Sequence, residues 1–244
     1  MAQFDPAILA ALADIVGDDR VLVDADSLAS YGCDWTRFYT PEPAAIVLPG
    51  SFDEVQAVVR LAAREEIAIV PSGGRTGLSA GAVARNGELV LALDRLNTIE
   101  DFNAVDRTVR CGAGVVTEQL QLFAEERGLF YPVDFASSGS SQIGGNISTN
   151  AGGIKVIRHG MTRDWVAGLK LVTGTGELLD LNRGLVKNNT GYDLRQLVIG
   201  AEGTLGIVVE ATMRLESPPQ NLAVLVLGVP DMPSIMQVLS TYRG

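Results

Sequence analysis

Glycine is spread unevenly along this chain, and that unevenness constrains the fold more than any other feature. The 244 residues contain 27 glycines, about 11% against a usual ~7%. Three segments concentrate them: 71–81, 137–153 and 200–208. Glycine permits positive φ and close backbone approach, so such segments suit a chain that binds with its main chain. Around them lie short apolar runs and amphipathic stretches. Residues 44–48 read as an apolar strand, and Ser51-Phe52-Asp53-Glu54 as a capping box opening a helix to about Arg64. Residues 67–70 form a second buried strand that Pro71 is expected to break. Strand, helix, strand within about thirty residues is a βαβ unit.

The rest of the chain is read in the same way. Asp5 caps and Pro6 opens a helix whose Ile8, Leu9, Leu12, Ile15 and Val16 share one face until Gly17. Residues 88–93 are a strand, 98–102 and 108–112 a hairpin, and Thr117 the cap of a helix ending near Gly128. Strands at 169–173 and 177–181 turn at Gly174-Thr175-Gly176. A short helix at 193–198, a strand at 206–215, and a strand at 222–229 with a helix behind it complete the chain. The expected class is α+β, with two lobes meeting near 93–101. The last 28 residues are too few for a domain of their own and read as the beginning of another.

Composition removes several functions. With 47% hydrophobic and 20% charged residues the chain is globular. Its formal charge of −10, from 19 basic and 29 acidic residues, argues against a nucleic-acid partner. It leaves anionic ligands open, because backbone amides bind phosphate without net positive charge. No apolar run reaches the ~18–20 residues of a membrane span. Cys33 and Cys111 form no CxxC and, with no secretory leader read at 1–10, are expected as free buried thiols in a reducing cytoplasm. His159 is the single histidine, which disfavours His-based metal sites.

Each glycine segment has a functional and a bland reading. In the first, Gly73, Gly74, Gly77 and Gly81 follow a buried strand, so successive N–H groups can face one anion. Thr76 and Ser79 add hydroxyls and Arg75 a charge; the bland alternative is a flexible surface loop. Neither the P-loop nor the Gly-x-Gly-x-x-Gly pattern is present. Gly77-Leu78-Ser79-Ala80-Gly81 matches the Gly-x-Ser-x-Gly elbow, but Arg85-Asn86-Gly87 follows in place of a helix and the sole base would be His159. The second segment is amide-rich and suits a flat, polar-edged ligand, against the alternative of a solvated loop. Its Ile143 and Ile147 are four apart and would bury a face. The third, Gly200-Ala201-Glu202-Gly203-Thr204-Leu205-Gly206-Ile207-Val208, runs from a tight turn into a strand. His159 reads as a satisfied surface or interface histidine.

Four blocks in this order, 71–81, 143–153, Lys187-Asn188-Asn189-Thr190-Gly191-Tyr192-Asp193-Leu194 and 200–207, resemble one family. The chain resembles the FAD-binding domain of the vanillyl-alcohol oxidase type, also called the PCMH type. The branch most similar to it holds the glycolate oxidase flavoprotein subunit, D-lactate dehydrogenase and D-2-hydroxyglutarate dehydrogenase. The resemblance covers about residues 31–215. It implies an FAD-binding domain over 1–216, in subdomains of about 1–97 and 98–216, with 217–244 starting a substrate domain that is cut short.

The resemblance also implies roles. Gly73, Gly74, Arg75, Thr76 and Gly77, flanked by Pro71 and Leu78, would wrap the FAD pyrophosphate with backbone amides. Gly144, Gly145, Asn146, Thr149 and Gly153, with Pro132 and Ser140 before them, would line the diphosphate, ribityl chain and isoalloxazine edge. Gly203 and Ile207 would touch the far end of the nucleotide. No Cys or His lies in the loops where some members tether the flavin, so FAD is expected to be noncovalent. In such enzymes the flavin takes a hydride from the α-carbon of a 2-hydroxy acid, here glycolate or D-lactate. The base, carboxylate-binding Arg and metal-holding His belong to the substrate domain, so no catalytic or metal residue is assigned in this chain. The chain alone is expected to be inactive, the electron acceptor is open, and an oligomer or partner subunits are compatible. Two alternatives stand beside this: a noncatalytic FAD-binding subunit that needs a partner chain, and a Ser79 hydrolase.

Overall fold

The computed structural model describes residues 4–185 and 187–243. The chain opens with α1 (Pro6–Val16), whose Asp5 carboxylate accepts the Ala7 N–H at 2.8 Å and whose Leu12 and Val16 are buried. Then come β1 (Val21–Leu22), α2 (Ala25–Tyr31), β2 (Ala45–Val47), α3 (Phe52–Arg64), β3 (Ile69–Ser72) and β4 (Leu89–Ala92). They build a sheet of order β1-β2-β4-β3, in which β2, β4 and β3 are parallel and β1 is antiparallel. The βαβ crossover through α3 leaves a slot that β4 fills. Such a sheet places the connection leaving β3 at the carboxyl ends of its strands, where ligands bind in open α/β sheets.

Pro71 does not end its strand. It lies within β3, opposite Leu91. Because β3 is an edge strand, the N–H that proline lacks is needed by no neighbour. The capping box is also slightly displaced. The Ser51 hydroxyl accepts the Glu54 N–H at 3.2 Å, but the Glu54 carboxylate reaches back one residue further, to the Gly50 N–H at 2.6 Å. The buried Val55, Val58, Val59, Leu61 and Ala62 then face the core.

The second sheet is wholly antiparallel. It is built from β5 (Ile99–Asn103), β6 (Thr108–Gly112), β7 (Val166–Val172), β8 (Leu178–Leu181) and β9 (Ile207–Arg214), in the order β5-β6-β9-β7-β8. Between β6 and β7 lie α4 (Thr117–Glu125), α5 (Ile143–Thr149) and α6 (Val156–His159); α7 (Arg195–Val198) precedes β9, and α8 (Met232–Arg243) closes the chain. One hydrophobic cluster joins both sheets, from Ala45, Val47 and Leu91 to Val109, Leu169 and Val209. The Gln56 and Arg60 side chains of α3 both donate to the Gly176 carbonyl, at 2.8 and 2.9 Å, and pin the β7–β8 turn to the first sheet's helix.

Three local readings change. Thr117 is the first residue of α4 and not its cap; Val116 takes that place, and its N–H donates to Gln119. The Thr117 hydroxyl is fully buried and bonds to Ser141 and Asn146. The polar stretch before β7 holds two short helices, and Ile143 and Ile147 of α5 are both fully buried. The segment 222–229 forms no strand among the described residues. With no neighbour to complete a ladder, Leu222, Val224 and Val226 stay exposed. Both cysteines are free; Cys111 is buried as expected, but Cys33 is partly exposed. No described helix is long and apolar enough to cross a membrane.

Candidate functional site

The glycine segments converge on a cavity of about 470 Å³. The end of β3 supplies Pro71 to its wall, and the connection leaving β3 supplies Gly73, Gly74, Arg75, Thr76, Gly77 and Leu78. The α5 helix supplies Gly144, Gly145, Asn146 and Thr149, and the approach to β9 supplies Gly203 and Ile207. Pro132, Ser140 and Gly153 do not line it. Pro132 is buried beside it in sequence between Tyr131 and Val133. A Cβ on Gly74 would run into the Ser140 carbonyl oxygen, so Ser140 abuts the back of the loop. Gly153 lies against the Asp134 carbonyl in the same manner.

The main-chain donors show what the cavity wall offers. Among the described residues, no backbone N–H from Gly73 to Ser79 donates to the protein. Arg75 sits at φ +57°, a left-handed step of the kind found in backbone concavities that bind anions. In α5, Ile143 and Gly144 donate to Val115 and Ala113 and Asn146 donates to Gln142, while the Gly145 N–H has no partner among the described residues. Its two glycines also differ in surroundings. A Cβ on Gly144 would stand 2.7 Å from the Ala113 Cβ, whereas one on Gly145 would meet nothing within 4 Å.

Arg75 does not bring its charge to the cavity. Its guanidinium bonds to Asp94 at 3.0 and 3.3 Å and to the Gly73 carbonyl at 2.8 Å, and lies 4.5 Å from the Tyr31 ring centre. Gln142 donates to the same Asp94 at 3.3 Å. The other charged residues of the wall are Asp34 and Glu202. An anion bound here is therefore met by amide dipoles, not by a free cation.

Three buried polar atoms of the wall have no partner: Asp34 Oδ2, Ser72 Oγ and Gln142 Oε1. Leaving such an atom unpaired costs about 1–3 kcal/mol, so each suits a group supplied by a ligand. These residues escaped sequence reasoning; their one signal is position, since Ser72 and Gln142 immediately precede a glycine loop and a glycine-bearing helix. Free amides, unpaired buried acceptors and the open side of Gly145 together fit a phosphate-bearing, hydroxyl-rich ligand such as FAD.

The hydrolase elements do not assemble. Ser79 lies on the cavity wall, but the residues after it form a turn and no helix. His159 lies outside the wall, its Nδ1 2.8 Å from Glu216 and its ring packed near Phe130 and Trp165. Among the described residues no group of three or more His, Cys, Asp or Glu is placed to hold a metal.

The comparisons agree with this geometry. Solved structures of alkyldihydroxyacetonephosphate synthase (TM-score 0.80, 23% identity, 90% of this chain and 42% of that one) and p-cresol methylhydroxylase (TM-score 0.74, 21% identity, 88% and 44%) share the fold. The chain is 65% identical over 98% of its length to the D-2-hydroxyglutarate dehydrogenase of Stutzerimonas stutzeri (strain A1501), and covers 52% of that protein. It is 37% identical over 97% of its length to the mitochondrial D-2-hydroxyglutarate dehydrogenase of Bos taurus, covering 43% of it. The chain thus spans about half the length of the curated relatives it matches. Residues 43–182, more than half of the chain, match the FAD binding domain family, and the chain belongs to that family.

Proposed function

We propose that this chain is the flavin-holding half of an oxidoreductase that acts on a D-2-hydroxy acid, with D-2-hydroxyglutarate as the substrate. The observation that carries the flavin part is the run of uncommitted N–H groups from Gly73 to Ser79 on a cavity wall completed by Gly145. The substrate part rests on the 65% identity to a D-2-hydroxyglutarate dehydrogenase. The family resemblance also allows glycolate and D-lactate. Bound FAD would supply the acceptor for a hydride from the substrate α-carbon. The chain's own contribution is grip and orientation. Gly73, Gly74 and Thr76 present amides to the diphosphate, while Arg75 and Gln142, tied through Asp94, hold the loop's shape. No side chain of the cavity is a Cys or His, so the FAD is held noncovalently in this reading.

Titration of the chain with FAD, followed by flavin fluorescence, tests the cofactor. Quenching that saturates, with flavin released intact on denaturation, is expected; a chain that ignores FAD would overturn the reading. The substrate is tested by anaerobic bleaching of the flavin absorbance in the flavin-loaded full-length protein, which also carries the substrate groups this chain lacks. D-2-hydroxyglutarate should bleach it faster than D-lactate or glycolate, and the reverse order would reassign the substrate.

A further inference from the structure

Diphosphate binding by amides leaves one buried carboxylate of the cavity without a task. Asp34 follows α2 and is 5% exposed. Its Oδ1 accepts the Thr36 N–H at 2.9 Å and the Thr36 hydroxyl at 2.7 Å, which fixes the side chain in an Asx turn. Its Oδ2 is buried, unpartnered, and lies 3.4 Å from where a Cβ of Gly77 would stand. The Trp35 N–H donates to the Gly77 carbonyl at 3.0 Å, so Asp34 is held in register with the loop. Further along, the Glu202 carboxylate lies 3.5 Å from the corresponding position on Gly81.

An ionised carboxylate accepts hydrogen bonds and donates none. Beside a phosphate oxygen Oδ2 would gain no bond and would repel the charge. The cavity therefore has two reaches: one lined by free amides alone at Gly73–Thr76 with Gly145, and one along 77–81 where free amides share the wall with the acceptor oxygens of Asp34 and Glu202. A dinucleotide offers both matching chemistries, an anionic diphosphate and neutral nucleoside parts rich in hydroxyl and amino donors.

We propose that Asp34 is a specificity-determining residue of the cofactor cavity, whose Oδ2 accepts a hydrogen bond from a hydroxyl or amino group of a neutral nucleoside part of the dinucleotide. It thereby sets which way the dinucleotide runs along the loop. The inference rests on the FAD reading above and adds to it a named acceptor and a direction. The contact is charge-assisted, and its loss should cost about tenfold or more in affinity.

The test is Asp34→Asn in the full chain, with FAD binding followed by fluorescence and competed with adenosine, riboflavin or inorganic pyrophosphate. Asparagine keeps an oxygen for the Thr36 turn and puts a donor where Oδ2 was. The expected result is an FAD Kd raised about tenfold or more, with the same loss for either adenosine or riboflavin and pyrophosphate competition unchanged. Which neutral fragment loses affinity identifies the part of the dinucleotide that Asp34 reads. Retained pyrophosphate binding also certifies that the variant is folded. A second variant, Thr36→Val, loosens Asp34 without altering its charge, and should weaken FAD in the same direction by a smaller factor. Unchanged FAD binding in Asp34→Asn would overturn the proposal. So would tighter binding of both FAD and pyrophosphate, the mark of a relieved repulsion. A wild-type chain that binds no FAD would instead overturn the cofactor reading itself, and this inference with it.

Discussion

The loop after β3 and the segment that carries α5 are alike in composition, yet they use glycine for different ends. In the first, Gly73 and Gly77 sit in a run of backbone whose N–H groups remain uncommitted, and Gly74, pressed against the Ser140 carbonyl, also serves contact. In the second, most amides are already spent: Ile143, Gly144 and Asn146 donate to Val115, Ala113 and Gln142. There Gly144 and Gly153 serve contact, because any side chain would collide with Ala113 or with the Asp134 carbonyl. Gly145 is the exception, and it is also the residue of α5 whose N–H is free. Glycine content alone therefore says little; the accounting of each N–H and each missing Cβ separates binding backbone from packing backbone.

The largest expected effect comes from separating the two neighbours in α5. Gly144→Ala should destabilise the fold by about 1–3 kcal/mol, because its methyl has no room beside Ala113. Gly145→Ala should leave the melting temperature unchanged or raise it, since alanine favours a helix, and yet weaken FAD by about tenfold as the methyl enters the cavity. Thermal melts and FAD titrations on the two variants would check both. If they behave alike, the distinction between contact and cavity glycines fails.

A smaller effect tests whether amides do the anion binding without help. Asp94→Ala releases Arg75 from its partner. FAD affinity should then fall by about threefold to tenfold as the loop loses its brace. A rise in affinity, with a steep salt dependence, would show instead that Asp94 had been withholding a useful charge.

The smallest effect is at high pH. Burial, with Glu210 adding to it, pushes the Cys111 thiol far above its ordinary range, and burial pushes the Tyr131 hydroxyl up likewise. In both, the folded chain holds its proton more tightly than the unfolded one. The linked stability is therefore complete at neutral pH, and it is lost as pH rises through and beyond the ordinary thiol range. Denaturant melts from pH 7 to 10 should show this decline, and Cys111→Ala should make it shallower. Under native conditions at neutral pH a thiol reagent should label the partly exposed Cys33 and spare Cys111.

What the sequence made legible was whatever local periodicity controls. The amphipathic α3 stands out because its buried residues recur at helical spacing, and β2 and β4 because they are short unbroken apolar runs, buried at every position. Pro71 misleads because proline is tolerated according to a strand's place in the sheet, which no local pattern records. The segment 222–229 misleads for a related reason: it has the composition of a strand but no paired neighbour among the described residues. Thirteen of the sixteen residues expected to touch the cofactor line the cavity, because the loops that bear them are marked by glycine. Ser72 and Gln142 lie inside the glycine segments but nothing local marks their side chains, and Asp34 lies outside those segments altogether, since an unpaired oxygen exists as a feature only once distant segments have come together.

The pairing of Arg75 with Asp94 bears on kinetics as well as affinity. A chain of formal charge −10 that keeps its one cavity cation neutralised offers no attractive field to an approaching anionic cofactor. Added salt should then speed FAD loading by screening the mutual repulsion, while leaving the lifetime of the bound state, set by short-range hydrogen bonds, nearly unchanged. The cavity is built to retain its dinucleotide, not to attract it.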